Sequence, residues 1–555
     1  MLRPRLDASL GPTLPGLAPL RLLALLGLAV ISVIFLITGV GCGEEVVVVP
    51  APVAVPEVVA VPVEVARPAA PSAVRVAYHP NDLAGDLTGV TELDLAFSLT
   101  DQQGRRASDS DDRDFTQVCA DLDLISLAAR APRVRMLRVS GCQSAVHVGL
   151  GAFAEVETLE LADLVLDGVT MGRVASLSRL RALTLTRMTP GSEPVAVLGR
   201  LAIETLVLRD LDTDSPLAEV AAQAPQLRVA TLEGPWAGHE AMLALGKAGQ
   251  LREVSLLDTR IGNFSLHQLK PLSQLRRVVW QGSTFNDHSP LYVRELPIES
   301  FTCACPGFGD AGLKVIGRQT QLRELVLPQS RISGAGLALL DKLDKLARVE
   351  ISRRDPGPEG LTALTQLPGL TDLALELPEP AVLIDPTLTP LGLIVGLRRL
   401  RLDIPTLDDR AAAQLATLTQ LEHLDLGGTQ ISDVGLKALA GLTQLRELRL
   451  HHTRVTNRGL ANLAGLTLLE SLELDHTDLV DDGVGHLKGL RALKLLRLDK
   501  TLITDAALPY LLGMLRLEQL NLADTVVTAE GVAQLSRLPA LRAVNLARTR
   551  AEGSR

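Results

Sequence analysis

The sequence predicts an α/β solenoid, in which short strand–helix units stack and share one continuous hydrophobic core. Three observations favour this fold class: a 24-residue period, an alternating apolar pattern at the start of each period, and leucines three residues apart later in it. Alternation is typical of a half-buried strand, whereas a spacing of three is typical of one helix face. Such a short unit cannot bury its own apolar side chains, so we expect each unit to stack on its neighbours.

The period is clearest at 421–442, where the sequence reads LEHLDLGGTQISDVGLKALAGL. Its opening leucine recurs without slippage at positions 445, 469, 493, 517 and 541. Towards the N-terminus the spacing varies between 22 and 27 residues, which gives eighteen units from Val134 to Arg550. The L-x-x-L-x-L pattern is the signature of leucine-rich repeats, with one strand and one helix in each unit. An earlier Leu-Asp-Leu at 93–95 is assigned to a degenerate first unit.

Geometry accounts for the residue type at each strand and turn position. Leu424 and Leu426 point into the core, and Asp425 between them points outward. Thr429 leaves the strand at a turn, where we expect its hydroxyl to hydrogen-bond the backbone of the neighbouring coil. Because this threonine recurs in every regular unit, the sequence predicts a polar ladder beneath the core.

The start of each helix has its own signal. Ser432 precedes an aspartate, as an N-cap residue should, and threonine takes this position at 456, 504 and 528. Val480 breaks the rule, and we expect the adjacent Asp481 to take over the cap. Leucines at 436, 439 and 442 then predict the buried stripe of the helix.

The combination of the turn threonine with Ile-Ser/Thr-Asp-x-Gly-Leu resembles one leucine-rich subclass, the cysteine-containing repeats of F-box-associated proteins and their bacterial GALA-type relatives. The resemblance covers residues 134–550. It implies a curved horseshoe with a parallel sheet on the concave face and helices on the convex face, used for binding proteins or other ligands. The ubiquitin-ligase role of that family depends on an F-box, and we identify none in this sequence.

The N-terminus predicts a membrane anchor. Residues 1–21 are basic, and 22–43 carry no charge over a length that can cross about 30 Å of hydrocarbon. Arg3, Arg5 and Arg21 precede the apolar stretch and predict a cytoplasmic N-terminus, with the bulk of the chain on the extracytoplasmic, periplasmic or cell-surface side. Two interpretations stay open: an uncleaved signal anchor, or a lipoprotein acylated at Cys42. The segment 37–42 resembles a bacterial lipobox, although Gly39 replaces the usual large aliphatic residue.

Two further regions separate this anchor from the array at 134–555. Residues 44–72 are rich in Val, Ala and Pro, which favours an extended polyproline II stalk or an ordinary disordered linker. Residues 73–133 are predicted to be an N-terminal cap region that includes the degenerate repeat. Exported leucine-rich repeat proteins often carry a cysteine-stapled cap, and this resemblance implies a disulfide between Cys119 and Cys142 in an oxidising compartment.

Composition argues against nucleic acid as a partner. The net charge is −9, from 55 basic and 64 acidic residues, whereas nucleic-acid binding needs a basic stripe. Aromatic residues make up only 2% of the chain, which leaves almost nothing to stack on bases. Apolar residues at 47% and charged residues at 21% are typical of a core-forming protein.

Catalysis is not predicted. The sequence contains no phosphate-binding G-x-x-x-x-G-K-[ST], no H-E-x-x-H and no G-x-S-x-G motif. The repeat pattern accounts for nearly every residue. We therefore predict a protein that is not an enzyme, with no catalytic residues and no cofactor.

The candidate ligand-binding residues are those expected to point outward from successive strands on the concave face. In the column of Asp425 the charge alternates at every step, from Arg401 to Arg497. One interpretation is a cross-strand charge ladder that satisfies itself, and another is a polar recognition strip; the two are compatible. The complete predicted set is Arg399, Arg401, His423, Asp425, Glu447, Arg449, His451, Glu473, Asp475, Arg497 and Asp499.

The sequence does not predict a metal site. His451, Asp475 and Asp499 share one column, with His452 and His476 beside them. Exposed histidines are common in repeats, however, and the sequence shows no residues that would hydrogen-bond these ligands and orient them. The lone Cys303-Ala-Cys305 is a poor zinc signal, so its thiols are predicted to fill the core as small apolar groups.

Together these patterns predict a membrane-anchored, exported leucine-rich repeat protein that serves as a scaffold for a protein or polysaccharide ligand. The alternatives are an adaptor or effector of the GALA kind and a structural envelope spacer without a specific ligand. The oligomeric state and the identity of the ligand do not follow from the sequence.

Overall fold

The computed structural model describes residues 74–77, 83, 86–96, 123–141, 143–190, 201–211, 224–352, 356–377 and 388–551. Within these residues one sheet of twenty parallel strands runs through the array. Its strands are Val74–Ala77, Glu92–Ala96, Met136–Ser140, Thr158–Ala162, Ala182–Thr186, Thr205–Arg209, Val229–Glu233, Glu253–Leu257, Arg277–Gln281, Ser300–Ala304, Glu324–Leu327, Arg348–Ser352, Asp372–Glu376, Arg399–Asp403, His423–Asp425, Glu447–Arg449, Ser471–Glu473, Leu495–Arg497, Gln519–Asn521 and Ala543–Asn545.

Each strand pairs with the strands of the units before and after it. Leu424 lies opposite Leu400 on one side and Leu448 on the other, so equivalent positions of successive units are in register. All eighteen predicted opening positions, from Val134 to Leu541, lie two residues before a strand. Leu424 and Leu426 are buried and Asp425 is half-buried, which confirms the predicted alternation. The repeat period is therefore the period of the sheet.

Short helices follow the strands and complete the units. The α-helices are Leu124–Arg130, Gln143–Gly149, Gly168–Ala175, His239–Leu245, Asp310–Ile316, Gly334–Leu337, Gly357–Leu364, Asp409–Leu415, Asp433–Ala438, Asn457–Leu460, Asp481–Gly485, Leu508–Leu511 and Ala529–Ala533. The 3-10 helices are Leu150–Ala152, Ser265–Leu269, Ser289–Tyr292, Ala338–Leu340, Thr389–Leu393, Leu439–Gly441, Ala461–Leu463, His486–Gly489, Asp505–Ala507 and Gln534–Arg537. A separate pair of two-residue strands joins Val165–Leu166 to Thr189–Pro190. The predicted leucine stripe at 436, 439 and 442 is buried.

The turn threonines are buried as expected, but they bond differently. The Thr429 hydroxyl donates to the carbonyl of Leu426 in its own unit at 2.7 Å, and Thr453 donates to Leu450 in the same way. The prediction that these hydroxyls reach the neighbouring coil is therefore wrong. The reason is local: the turn brings the carbonyl three residues back within reach, and the neighbouring coil is reached by other groups.

Those groups are the aspartates after the N-caps. Asp433 accepts hydrogen bonds from the backbone N–H and the hydroxyl of Thr456 in the next unit, at 2.8 and 2.7 Å. Asp505 makes the same two contacts to Thr528 at 2.8 and 2.6 Å. The Ser/Thr-Asp pair of the repeat is thus a hydrogen-bonded link between one unit and the following one.

The helix caps confirm part of the prediction. Ser432 and Thr504 accept the N–H two residues on, each at 3.2 Å, whereas Thr456 makes no capping hydrogen bond. Asp481 does not cap in place of Val480, because it bonds to Thr504 of the next unit. The N–H of Val480 is met by Asn457 of the preceding unit at 3.0 Å. The prediction that Asp481 caps this helix is wrong, because its carboxylate is engaged by the N–H and the hydroxyl of Thr504.

The same carboxylates explain the glycine of the motif. A Cβ at Gly459 would lie 3.0 Å from Cγ of Asp433 and overlap its Oδ1, and a Cβ at Gly531 would overlap Oδ1 of Asp505. Both glycines lie in short helices, where glycine is otherwise unfavourable. Glycine is required here because the side chain of the preceding unit occupies the space.

Cys303 and Cys305 are fully buried, which confirms that they fill the core. They form a disulfide, however, and are not the separate thiols that the sequence predicted. Strand Ser300–Ala304 ends between them, so the chain turns and brings the two Cα atoms to 5.2 Å. That separation is typical of disulfides, whereas residues two apart within a strand lie farther from each other. The sequence did not locate the strand end.

None of the helices in the described ranges is long and apolar enough to cross a membrane. The predicted anchor at 22–43, the segment 44–72, Cys42, Cys119 and Cys142 lie outside the described residues.

Candidate functional site

Side chains that point away from the core line the outer face of the sheet, which is the predicted concave side. In each unit they come from the first, third and fifth positions counted from the strand start, and we call the rows they form the first, middle and third columns. In-register parallel pairing places equivalent positions of adjacent units about 4.8 Å apart. The predicted ligand-binding residues occupy all three columns.

The middle column forms the predicted charge ladder. Asp425 lies between two arginines, with its Oδ2 3.9 Å from Nε of Arg401 and 3.6 Å from Nη1 of Arg449. Glu473 likewise lies 3.1 Å from Nε of Arg449 and 3.5 Å from Nη1 of Arg497. Opposite charges thus alternate across five strands, and every member of this row has an ionic neighbour.

The first column pairs in the same way. Arg399 lies 3.9 Å from Asp372, and Nδ1 of His423 lies 2.9 Å from Oε2 of Glu447. Glu447 also contacts Arg449 of the middle column at 2.7 Å, which connects the two columns.

The third column carries the most buried acids of the set. Asp475 and Asp499 are 4% and 7% exposed. Arg497 lies 3.6 Å from Asp475 and 3.4 Å from Asp499, and Asn521 donates to Asp499 at 2.6 Å. His451 completes the column in the preceding unit. The structure therefore brings all the predicted residues from 399 to 499 onto one continuous surface.

Burial and charge set the protonation behaviour of this surface. Burial raises the pKa of Glu473, although Arg449 and Arg497 oppose the shift. Burial acts to lower the pKa of Arg449, but the carboxylates of Glu473, Glu447 and Asp425 outweigh it and raise that pKa. Burial, together with the neighbouring imidazoles of His476 and His451, lowers the pKa of His452.

A second charge ladder escaped the sequence analysis. It runs along the residue that precedes each strand, where acid and base alternate from Arg398 to Arg542. Arg398 contacts Glu422 at 2.8 Å, and Glu470 contacts Arg446 and Lys494 at 3.0 and 2.6 Å. The signal that would have revealed this row is the 24-residue period read at the residue before each strand.

An uncharged tract on the outer face also escaped it. Seven successive middle-column positions carry only small hydroxyl or β-branched side chains: Thr184, Val207, Thr231, Ser255, Val279, Thr302 and Val326. All are half-buried except Ser255, which is buried. We call this row the central tract.

Charge clusters bound the central tract on both sides. On one side Arg138 lies 2.6 Å from Glu92 and 2.7 Å from Glu160. On the other side Glu350 lies 3.0 Å from Arg348, and the charged columns follow. The middle column thus has an uncharged stretch between two self-neutralised ends. Ion pairs flank this stretch in the first and third columns, such as Arg277 with Glu253 at 3.7 Å and Arg209 with Glu233 at 2.9 Å.

Comparison with known proteins gives the following matches. A family model described as Leucine Rich repeat matches residues 417–440. No curated protein matches the chain. Among solved structures, an internalin from Listeria monocytogenes is 17% identical and the match covers 72% of this chain and 89% of that one, with a TM-score of 0.32.

Two further solved structures show similar values. A leucine-rich repeat protein from Leptospira interrogans is 16% identical, over 77% of this chain and 99% of that one, with a TM-score of 0.39. Internalin C2 from Listeria monocytogenes is 29% identical, over 38% of this chain and 83% of that one, with a TM-score of 0.31.

Proposed function

We propose that this leucine-rich repeat protein is an interaction scaffold that holds a protein ligand across the outer face of its sheet. The observation that carries the proposal is the central tract, an uncharged row of the middle column between two charged ends. The cores of protein interfaces are depleted of charged residues, and their rims are polar. The middle column, with the ion pairs that flank it, has this arrangement before any ligand is present.

The charged columns suit the rim better than the core of such an interface. Arg449 contacts Asp425, Glu447 and Glu473, so a ligand that covered it would have to replace several ionic contacts. Removing one partner of such a cluster leaves a buried charge without compensation, which is costly. Ligand contact with Arg399 and Arg401, whose side chains are 62% and 53% exposed, requires no such replacement.

The size of the tract sets the size of the ligand footprint. Six inter-strand steps of about 4.8 Å, and the two residue steps of about 3.3 Å that one column occupies, give an area of roughly 190 Å². A standard interface covers about 800 Å² on each partner. The ligand must therefore extend beyond the tract onto the flanking charged residues, which include the predicted set from Arg399 to Asp499.

Site-specific photo-crosslinking tests this proposal in cells that produce the full chain. A photoreactive residue in place of Val207 or Val279 should yield a discrete protein adduct. The matched control is Val434, which is 69% exposed on a helix at the other side of the units. Val279→Arg should abolish the adduct formed from position 207, because a charge in the interface core is unfavourable.

The outcomes separate the alternatives. Adducts from position 434 and none from the central tract would place the ligand on the helix side and overturn the proposal. An absence of adducts from both faces would favour a structural spacer.

We further propose that residues 22–43 anchor the protein in a membrane and that the array is exported. The uncharged stretch and the arginines before it support this arrangement. Reporter fusions at the C-terminus test it, since a reporter that is active only in the cytoplasm contradicts export. Mass spectrometry of the mature N-terminus decides between an intact anchor and acylated Cys42.

The assignment to the GALA-like subclass is also a proposal. It is supported by the Ser/Thr-Asp-x-Gly segment, in which Asp433, Thr456 and Gly459 form one inter-unit contact.

A further inference from the structure

Three histidines and two aspartates converge where the third column meets the turn that follows it. Nδ1 of His451 lies 3.4 Å from Nδ1 of His452, and their rings are perpendicular. One ligand atom from each of His451, His452 and Asp475 lies within 4.8 Å of the other two. Asp475, His476 and Asp499 form a second group of the same kind. The two groups share the carboxylate of Asp475.

The repeat geometry places these side chains. His452 and His476 have φ values of 54° and 55°, and the equivalent Lys500, Asp524 and Arg548 have the same left-handed conformation. The conformation therefore belongs to the turn and not to the cluster. It directs each histidine towards the same position of the next unit, so the rings of His452 and His476 stack with centroids 3.8 Å apart.

The preceding unit leaves room for His451. A Cβ at Gly427, the third-column position of that unit, would overlap Nε2 and Cε1 of His451 and lie 2.6 Å from its Cδ2. Any other residue at 427 would displace this imidazole from its observed position.

Asp475 supplies the observation that points to a cation. The residue is 4% exposed, and its Oδ1 makes no hydrogen bond. The nearest cation to this oxygen is Nε of Arg497 at 3.6 Å, and Oδ2 lies 3.2 Å from Nδ1 of His476. A buried carboxylate normally has its acceptor sites filled, because burial without a partner is costly. A bound cation would give Oδ1 of Asp475 a partner.

We propose that His451, His452 and Asp475 form a binding site for a divalent transition metal, for which Zn²⁺ fits best. Two imidazole nitrogens and one carboxylate are ligands that suit Zn²⁺. Ca²⁺ and Mg²⁺ instead prefer oxygen ligands alone. At a Zn–N distance of about 2.05 Å, two ligands of a tetrahedral ion lie about 3.3 Å apart. The observed 3.4 Å between the two Nδ1 atoms matches this separation.

The second group is the weaker candidate. Arg497 lies within 3.6 Å of both Asp475 and Asp499, so its guanidinium already competes for their oxygens. His476 instead acts on the first group from outside, since it stacks on His452 and hydrogen-bonds Asp475. Partners of this kind orient metal ligands, and their loss typically lowers metal affinity by about 10–100-fold.

Isothermal titration of Zn²⁺ into the purified full chain, produced without a histidine tag, tests the proposal. We expect one saturable site at neutral pH that EDTA reverses and that Ca²⁺ does not occupy. Co²⁺ should bind the same site and show the intense visible absorption of tetrahedral coordination. Zn²⁺ should also raise the unfolding temperature, because the assembled site binds it more tightly than the unfolded chain does.

The variants are chosen to keep the fold. His452→Asn removes the imidazole at a left-handed position that asparagine tolerates, and His451→Gln removes the other one. Both should abolish saturable Zn²⁺ binding and its thermal shift. His476→Asn should weaken binding by at least about tenfold. His423→Gln is the matched control, because His423 lies on the same face and is engaged with Glu447.

The proposal is overturned if the unaltered chain shows no saturable Zn²⁺ binding. It is equally overturned if His423→Gln reduces binding as much as His452→Asn does, or if the His451 and His452 variants bind normally. Circular dichroism of each variant establishes that it is folded. The result is independent of the proposed ligand face, because the metal is titrated alone.

Discussion

Replacing Gly459 by alanine should destabilise the protein, although alanine is the better helix former. Gly459 lies in helix Asn457–Leu460, and a Cβ there would overlap Oδ1 of Asp433 in the preceding unit. That carboxylate holds the N–H and the hydroxyl of Thr456. The methyl group must displace it, so both hydrogen bonds are lost.

The magnitude follows from two opposing contributions. Alanine gains about 0.8–1.0 kcal/mol over glycine in a helix interior. Each hydrogen bond to a charged group contributes about 1.5–3 kcal/mol. Because both bonds to Asp433 are only part-buried, the lower end of that range applies, and their loss costs about 3 kcal/mol. The expected net loss in the free energy of unfolding is about 2 kcal/mol.

Guanidinium denaturation followed by circular dichroism measures the effect. Gly172→Ala is the matched control, since Gly172 is exposed in helix Gly168–Ala175 and nothing lies within 4 Å of an added Cβ. This control should be stabilised by up to about 1 kcal/mol. Repeat arrays can unfold in segments, so hydrogen exchange at the Thr456 amide gives a local reading of the same change.

A double-mutant cycle isolates the cause. In an Asp433→Ala background the obstructing carboxylate is gone, so Gly459→Ala should become neutral or stabilising. The reasoning is refuted if Gly459→Ala stabilises the unaltered protein as much as Gly172→Ala does, or if its cost is unchanged without Asp433.

Three further predictions concern single contacts. Thr453→Val should lower the free energy of unfolding by about 1 kcal/mol, since the hydroxyl donates to the carbonyl of Leu450 at 2.7 Å, and denaturation midpoints test this. Leu448→Ala should cost about 2–5 kcal/mol in the same assay, because the side chain is fully buried. The hydrogen bond from Arg548 lowers the pKa of Asp524, so this pair stabilises the fold above the unfolded pKa of about 3.9 and loses that contribution as the pH falls through the lowered value. Asp524→Asn should therefore cost up to about 1 kcal/mol at pH 7 and progressively less as the pH falls below about 3.9, and a cost that does not change with pH would contradict the assignment.

The array could be predicted from sequence because its signal is repeated and apolar. Leu424 and Leu426 alternate around Asp425, and the same pattern in neighbouring units leaves one arrangement that buries all the leucines. The hydrogen-bond partners of the turn residues could not be predicted in this way. A threonine at 429 shows that a hydroxyl is present in the turn, but whether it bonds its own unit or the next depends on backbone geometry that the residue type does not specify.

The candidate surface was predicted in part. The charged residues from Arg399 to Asp499 lie together as the period required, because register follows from a constant repeat length. The central tract was not predicted because its members, such as Val207 and Val279, carry no charge and belong to no motif. Following the column of Asp425 through all units would have found it. The disulfide between Cys303 and Cys305 depends on where one strand ends, which alternation alone does not fix.

The link from Asp433 to Thr456 gives the array a direction, because every such carboxylate is supplied by the earlier unit and used by the later one. Trimming units from the C-terminal side leaves each remaining turn with its acceptor. Deleting units from the N-terminal side instead leaves the first remaining turn with a backbone N–H and a hydroxyl that have lost their hydrogen-bond acceptor. The array should therefore tolerate deletion of its last unit better than deletion of its first.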